Sequence, residues 1–167
     1  MTKLASRLTT ALSGDPVLRK HWTDPPSVFI DPPSLRAPGK VPTIWNSGHV
    51  ATIWLCIGKS DLSVSAIWLV VREVARVLLD TGCLRRLDGV GIIPRYYEPG
   101  TPFPERLLRI NIASGAVRTL LGLDSDSLMR SKLADGIACG WYVKPPDWSL
   151  SGPQAAPSIH ERHVEAP

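Results

Sequence analysis

Hydrophobic positions change their spacing on either side of Gly58, and this change predicts a strand followed by a helix. Nearly every residue in His49–Ile57 is apolar, which is typical of a central strand that is buried on both faces. Beyond a polar turn, apolar residues recur at helical spacing, so we expect a long helix capped by Asp61 or Ser63. Gly82 is expected to end this helix, because glycine adopts the left-handed conformation that closes many helices.

Three more strands are predicted after this helix. Val90–Tyr97 contains Pro94, which lacks a backbone donor, so we expect this strand at an edge of the sheet or at a bulge. Arg106–Ala113 alternates between apolar and polar residues, which is typical of a half-buried strand. Ile137–Val143 is the last predicted strand.

Two segments between these strands are interpreted from their turn residues. Ser114 and the glycine after it predict either a tight hairpin into a strand over Ala116–Leu121 or a short helix capped by Ser114. Ser125 or Asp126 is expected to cap a helix of about ten residues that stops at Gly136. The element order then predicts an α+β fold, with a small antiparallel or mixed sheet and two helices on one face, in an order close to split βαβ.

The segment Met1–Leu12 predicts a short amphipathic helix. Thr2 can cap it, Gly14 can end it, and leucine recurs every fourth residue between them. So short a helix is marginal in water, and we expect it to dock on its own domain, on another subunit or on a lipid surface. The residues predicted to contact a membrane or a partner are Lys3, Leu4, Arg7, Leu8 and Leu12.

Proline is concentrated towards both ends of the chain, and this predicts flexible arms around one domain. The tetrapeptide Asp-Pro-Pro-Ser occurs at Asp24–Ser27 and again at Asp31–Ser34. Because proline lacks a donor and favours polyproline geometry, we expect an arm here rather than a strand. We therefore predict a basic, proline-rich arm with the short helix over residues 1–40, one globular domain over residues 41–143 and a disordered tail over residues 144–167.

Composition narrows the classes of protein to consider. The 167 residues suit one domain, and three cysteines that lie far apart argue against a disulfide scaffold and a paired-cysteine zinc module. The net charge is +4, and residues 1–40 hold six basic against three acidic side chains. This excess favours an anionic partner, either nucleic acid or an acidic membrane surface. With no recognisable signal peptide or transmembrane segment, we expect a cytoplasmic protein, with peripheral membrane or virion association as an alternative.

The densest mixture of arginine and aromatic residues lies around the third predicted element of the domain. It comprises Arg85, Arg86, Arg95, Tyr96 and Tyr97. Rings can stack on bases and arginines can neutralise phosphates, so the cluster is a candidate nucleic-acid site; the alternative is a solvated loop beside a half-buried edge strand. The element order also invites comparison with RNA-recognition domains, but Leu107–Ile112 carries no aromatic residue, and we expect Trp54 to belong to the core.

No set of residues has the spacing of a catalytic or metal site. Cys83 follows a helix C-terminus beside two arginines, but no histidine is placed to act as its base. His160 and His163 miss the helical spacing of a zinc protease by one residue. Asp124 and Asp126 precede an apolar run, which is typical of a helix start rather than of a magnesium site. We therefore expect no cofactor, no metal, no small-molecule substrate and no enzyme activity, while an active site assembled from distant residues stays open.

These observations favour a structural protein that assembles with itself and contacts an anionic surface, either a membrane or a nucleoprotein, through basic arms. In its layout of a basic helix, a proline-rich arm and a small α+β domain, the chain resembles matrix proteins of negative-strand RNA viruses. The resemblance implies a homo-oligomer of viral or phage origin. It is one of layout, since Val28 and Leu35 stand where the Pro-Pro-x-Tyr motif of those proteins has tyrosine. The alternatives are a nucleic-acid-binding module that uses the arginine and tyrosine residues and an enzyme with a hidden site.

Overall fold

The computed structural model describes residues 2–31, 49–58, 62–98 and 100–143. The helices, in chain order, are α1 (Thr2–Gly14), α2 (Val64–Asp80) and α3 (Val117–Leu120), with 3₁₀ turns at Leu18–Lys20, Cys83–Arg86, Ser114–Ala116 and Ser125–Met129. The strands are β1 (Trp22–Asp31), β2 (Val50–Ile57), β3 (Gly89–Tyr96), β4 (Glu105–Arg106), β5 (Leu108–Ala113), β6 (Lys132–Ala134) and β7 (Ile137–Trp141).

All seven of these strands belong to one mixed sheet. Its order is β1-β2-β3-β5-β7-β6, and the short β4 pairs with β3 beyond the end of β5. β2 and β3 are parallel neighbours joined through α2, and the other pairs among the described strands are antiparallel. The mixed α+β class is therefore confirmed, but a sheet of this size is not small. The split βαβ order is wrong, because a split arrangement places another strand between the two parallel ones.

β2 is the central strand that its apolar sequence predicts. It pairs with β1 on one side and with β3 on the other, and Trp54 is its one residue that is not fully buried. β3 is also central, so the edge position predicted from Pro94 is wrong. The carbonyl of Pro94 accepts from the amide of Leu107. The nitrogen of Pro94, which has no hydrogen to donate, points to the same side as this carbonyl and faces the gap between β5 and β4. No hydrogen bond of the sheet is lost there.

α2 begins and ends where its sequence predicts. The Ser63 hydroxyl accepts from the Ala66 amide at 3.1 Å, and this bond satisfies one of the free donors of the first turn. Gly82 follows the last turn with a φ of 65°, a conformation that glycine adopts without strain. The side chains that α2 buries form the centre of the core; they are Val64, Ile67, Trp68, Val70, Val71, Val74, Ala75, Val77 and Leu78.

An ion-pair network connects α2 to the segment between α1 and β1. Arg76 contacts Glu73 and Asp80 on its own helix and, at 2.6 Å, the carboxylate of Asp15. The other carboxylate oxygen of Asp15 accepts from two backbone amides that follow it. Because Asp15 is almost completely buried and both of its oxygens have partners, it stabilises the packing of this segment on α2.

α1 packs on its own domain through its leucine residues. Leu4, Leu8 and Leu12 are buried in the same core as α2. Arg7 donates to the carbonyl of Thr81 at the C-terminus of α2, over 3.0 Å, where a positive charge is favourable. Of the three predicted placements of this helix, docking on its own domain is therefore the one that the structure shows. The prediction that residues 1–40 form an arm is wrong for residues 2–31, which belong to the globular unit.

β1 runs through the first Asp-Pro-Pro-Ser tetrapeptide, where the sequence predicts an arm. It pairs antiparallel with β2, and the pairing is irregular between Asp24 and Ser27. The two prolines fall within that irregular stretch of an edge strand, where a missing donor is tolerated. The second tetrapeptide, the rest of the predicted arm and the predicted tail lie outside the described residues.

The segments after β5 differ from two of the predictions. Residues 114–120 are helical, which confirms the helix alternative, although no side chain caps this segment. The predicted ten-residue helix is wrong: its first residues form a 3₁₀ turn capped by Asp124, and β6 follows. Gly136, with a φ of 77°, turns the chain so that β6 pairs with β7, and this pairing takes the place of helical hydrogen bonds.

β5 and β7 have the burial that their sequences predict. Leu108, Ile110 and Ile112 of β5 are buried, and the residues between them are partly exposed. β7 is the predicted last strand, and its Trp141 is fully buried. The indole nitrogen of Trp141 donates to the carbonyl of Leu128 at 2.7 Å, which fixes the 3₁₀ turn Ser125–Met129 to the sheet.

The main core lies on one side of the central strands. Alternate residues contribute to it, and these are Ala51, Ile53, Leu55 and Ile57 of β2, Val90, Ile92 and Tyr96 of β3, and Leu108, Ile110 and Ile112 of β5. Because successive strand residues point to opposite sides of a sheet, the residues between them point away from this core. We call that side the outer face.

Candidate nucleic-acid interface

The outer face combines arginine, aromatic and very small side chains on adjacent strands. β2 contributes Thr52, Trp54 and Cys56, β3 contributes Gly91, Ile93 and Arg95, β5 contributes Arg109 and Asn111, and β7 contributes Ala138 and Gly140. Strand pairing places Asn111 between Gly91 and Ala138. Arg109 lies opposite Gly140 on β7.

A tryptophan with two arginines above it forms the densest part of the outer face. The Arg95 guanidinium lies 4.5 Å from the centre of the Trp54 ring, and the Arg106 guanidinium lies 5.1 Å from it. Arg106 also lies 5.7 Å from the centre of the Tyr142 ring. These are cation–π distances, and the pairing of Arg95 with Arg106 across β3 and β4 brings both groups to one ring. We call Trp54, Arg95, Arg106, Arg109 and Tyr142 the arginine–aromatic cluster.

Carboxylates lie near the arginine–aromatic cluster, among them Asp31 and Glu105, but they do not form direct ion pairs with it. None of its three arginines forms an ion pair with a residue that the structure describes. The Nε of Arg95 is buried and has no hydrogen-bond partner in the described part of the chain. Burial lowers the pKa of the Arg109 guanidinium, and the smaller effects of Tyr142, Arg106 and Asp31 differ in sign. A phosphate at this place would supply the missing negative charge and accept bidentate hydrogen bonds.

β5 positions a polar pair at the centre of the outer face. The Nε of Arg109 donates to Oδ1 of Asn111 at 2.8 Å. Asn111 lies between Gly91 and Ala138, and Arg109 lies opposite Gly140. Gly91 is buried, whereas Ala138 is exposed and Gly140 is partly exposed. A Cβ atom built on Gly91 would lie 3.7 Å from Nη2 of Arg109 and 3.7 Å from Oδ1 of Asn111. The pair therefore lies flat, in van der Waals range of that position.

A groove opens beside the arginine–aromatic cluster. Its volume is about 370 Å³, and it is lined by Pro104, Glu105, Arg106, Tyr142 and Val143. Ligand sites for small molecules begin at about 300 Å³. The groove offers an aromatic ring, a guanidinium group and a carboxylate, and it extends the cluster beyond β4.

The five residues of the nucleic-acid site predicted from the sequence do not lie together. Arg95 belongs to the arginine–aromatic cluster, but Tyr96 points into the core, and burial raises the pKa of its hydroxyl. Tyr97 is exposed, and a hydrogen bond to a carboxylate of β1 raises the pKa of its hydroxyl. Arg85 and Arg86 are exposed in the 3₁₀ turn that precedes β3. Arg95 lies near the other end of this strand, which is about 20 Å away at the usual rise per strand residue.

Four members of the arginine–aromatic cluster are not predicted from the sequence. Trp54 was expected in the core, and that prediction is wrong, because its partly exposed ring lies on the outer face. The alternation of β5 does place Arg109 and Asn111 on one face, and this is a usable signal. The sequence has no signal of this kind for Arg106 and Tyr142, because both residues lie beside turns, where the alternation of a strand stops.

Comparison with known proteins does not assign the chain to a family. No family model matches it, and no curated protein matches it at a significant level.

The other candidate sites are not supported. Cys83 is 3% exposed, so it is not the accessible nucleophile that its sequence position suggested. The Asp124 carboxylate accepts from the amide and the hydroxyl of Ser127 and so caps the 3₁₀ turn Ser125–Met129 instead of the predicted helix. Within residues 2–31, 49–58, 62–98 and 100–143, no group of three metal-ligating side chains is found. His160 and His163 lie outside the described residues.

The predicted membrane or partner contact is also changed by the fold. Its three leucines, Leu4, Leu8 and Leu12, are buried in the domain, so they are not available to a lipid surface or a partner. Lys3 is exposed, and Arg7 is bonded to α2. In the described part of the chain, no helix has the length and apolar character needed to cross a bilayer.

Proposed function

We propose that the outer face binds single-stranded nucleic acid and that the arginine–aromatic cluster is the contact site. One observation carries the proposal: two guanidinium groups lie at the Trp54 ring without an ion-pair partner in the described chain. Guanidinium groups neutralise phosphates while tryptophan and tyrosine rings stack on unpaired bases, and proteins that bind single strands use this combination. The proposed role is non-enzymatic.

The partly exposed rings and arginines of this sheet face suit a single strand better than a duplex. Unstacked bases can lie flat against side chains of a sheet, whereas a duplex presents mainly phosphates and groove edges. In this proposal α1 and α2 form one layer on the opposite side of the sheet and leave the outer face to the ligand. The contacts of α1 with α2, and of both with the core, support this arrangement.

Binding of a labelled single-stranded RNA, measured by fluorescence anisotropy over a series of salt concentrations, tests the proposal with the full chain. Arg106→Ala is expected to reduce the slope of log Kd against log salt by about 0.7, the contribution of one phosphate contact in a single strand. Trp54→Ala is expected to weaken binding roughly 5- to 150-fold through the loss of stacking, with little change in the salt slope.

Arg86→Ala is the matched control, because Arg86 is an exposed arginine at the far end of β3. If Arg86→Ala weakens binding as much as Arg106→Ala, affinity follows net charge rather than the cluster, and the proposal is wrong. Thermal unfolding of each variant separates lost contacts from lost folding. Retention of the protein on anionic vesicles but not on RNA would instead favour the membrane alternative.

Self-association is a second candidate, because β1 is an edge strand that carries an exposed ring. Phe29 is 56% exposed. Among the described strands none pairs with the other edge of β1, whose backbone donors and acceptors could therefore pair with a second copy of the chain. Light scattering over a range of protein concentrations tests it. A mass that rises with concentration, and that Phe29→Ser returns to the monomer value, supports assembly through β1, and a constant monomer mass contradicts it.

A further inference from the structure

We infer that Arg109 and Asn111 select guanine among the bases of the bound strand; this inference rests on the proposed function. Two features of the outer face carry it. The first is the set of hydrogen-bond donors that the pair presents, and the second is the small residues that are not buried beside it on β7.

The pair presents donors and little free acceptor. An arginine has five N–H groups and no acceptor, and the Nε of Arg109 is already bonded to Oδ1 of Asn111 at 2.8 Å. This bond engages the side-chain acceptor of Asn111 and leaves its N–H groups and the two Nη groups of Arg109 for a ligand. The Thr52 hydroxyl, also next to Gly91, can donate as well as accept. A ligand edge with two adjacent acceptors is therefore complementary to the pair.

Guanine carries two adjacent acceptors, O6 and N7, on one edge. Adenine presents N7 beside an amino donor, cytosine presents an amino donor, and a pyrimidine with O4 has one acceptor on that edge. A donor on the base would face a donor on the protein, and neither would be satisfied. A bidentate contact from arginine to O6 and N7 is the commonest specific contact between a protein and a base.

The neighbours of the pair leave room for a base. Gly91 and Ala138 flank Asn111, and Gly140 lies opposite Arg109. A flat ring can approach the sheet from the β7 side, because Ala138 is exposed and Gly140 is partly exposed. The buried Gly91 is covered by Arg109, Asn111 and the Thr52 hydroxyl. Burial of the Arg109 guanidinium, which lowers its pKa, and its bond to Asn111 restrict its motion, so the donors are held ready for a ligand.

Four short RNA probes that differ at one base test the inference. Each is an adenine tract whose central base is guanine, inosine, 7-deazaguanine or adenine, and each is titrated with the full chain at one fixed salt concentration. Guanine and inosine, which share O6 and N7, are expected to bind equally well. The all-adenine probe is expected to bind roughly 5- to 150-fold more weakly, and 7-deazaguanine, which lacks the N7 acceptor, is expected to lie between them.

Two variants assign the selectivity to the pair. Arg109→Lys keeps the charge but loses the bidentate fork, so it is expected to give the guanine and adenine probes equal affinity. Asn111→Ala frees the guanidinium and is expected to reduce the preference for guanine in part. Arg118→Lys, at an exposed position of α3, is the control and is expected to leave the preference unchanged.

Each outcome separates this inference from the proposed function. Equal affinity of the unmodified chain for the guanine and adenine probes, with binding that still depends on Arg106, overturns the selectivity and leaves nucleic-acid binding in place. A guanine preference that survives Arg109→Lys also overturns the inference, since another group must then recognise the base. No binding of any probe at low salt overturns both proposals.

Discussion

Replacing Leu8 with alanine is expected to lower the free energy of unfolding by about 2–5 kcal/mol. Leu8 is fully buried where α1 packs on the core, so the substitution removes buried methyl groups and leaves a cavity. If residues 1–40 formed an arm, as proline content predicts, the same change would cost almost nothing. Chemical denaturation followed by tryptophan fluorescence measures the difference.

Thr10→Ala is the matched control on the same helix. Thr10 is exposed, so its replacement is expected to change the free energy of unfolding by no more than about 0.5 kcal/mol. Equal stability of the Leu8 and Thr10 variants would mean that α1 does not pack on the domain. The domain boundary near residue 40, which the structure contradicts, would then be correct.

Replacing Trp141 with alanine is expected to lower the free energy of unfolding by about 3–5 kcal/mol. The ring is fully buried in β7, and its indole nitrogen donates to the carbonyl of Leu128 at 2.7 Å. Alanine leaves a large cavity and also leaves a buried carbonyl without its donor. Because that bond fixes the turn Ser125–Met129, we expect faster hydrogen exchange in this turn together with the loss of global stability.

Trp141→Phe separates the hydrogen bond from the packing. Phenylalanine keeps much of the volume but cannot donate to Leu128, so we expect a loss of about 1–3 kcal/mol from the unsatisfied carbonyl and the smaller ring. A Trp141→Phe variant as stable as the unmodified chain would contradict the role given to the hydrogen bond. Denaturant titration of both variants under the same conditions provides the measurement.

The elements that the sequence predicts well are those with local signals. α2 has an N-cap serine, a wide apolar face and a glycine at its end, and all three lie within about one helix length. β2 and β5 have patterns that only a buried strand and a half-buried strand satisfy. A periodic pattern and a cap act on neighbouring residues, so they determine these elements without reference to the rest of the chain.

Elements that depend on a distant partner are predicted poorly. Proline favours an arm at Trp22–Asp31, but β2 supplies a ladder that tolerates the two prolines at an irregular place. The segment before Gly136 has a helix-start signal, but β7 pairs with its last residues and makes them a strand. The position of Pro94 predicts an edge or a bulge, and the gap between β5 and β4 accommodates it within a central strand. In each case a contact remote in sequence outweighs a local preference.

The sequence by itself determined a mixed α+β domain, its longest helix and its central strand, because local periodicity encodes them. The tertiary structure alone decided the candidate site. Arg95 and Tyr96 are adjacent in the chain but point to opposite sides of β3, since successive residues of a strand alternate between faces. Trp54 and Arg106 are far apart in the chain, and the sheet brings them within 5.1 Å, because β3 pairs with β2 on one side and with β4 on the other.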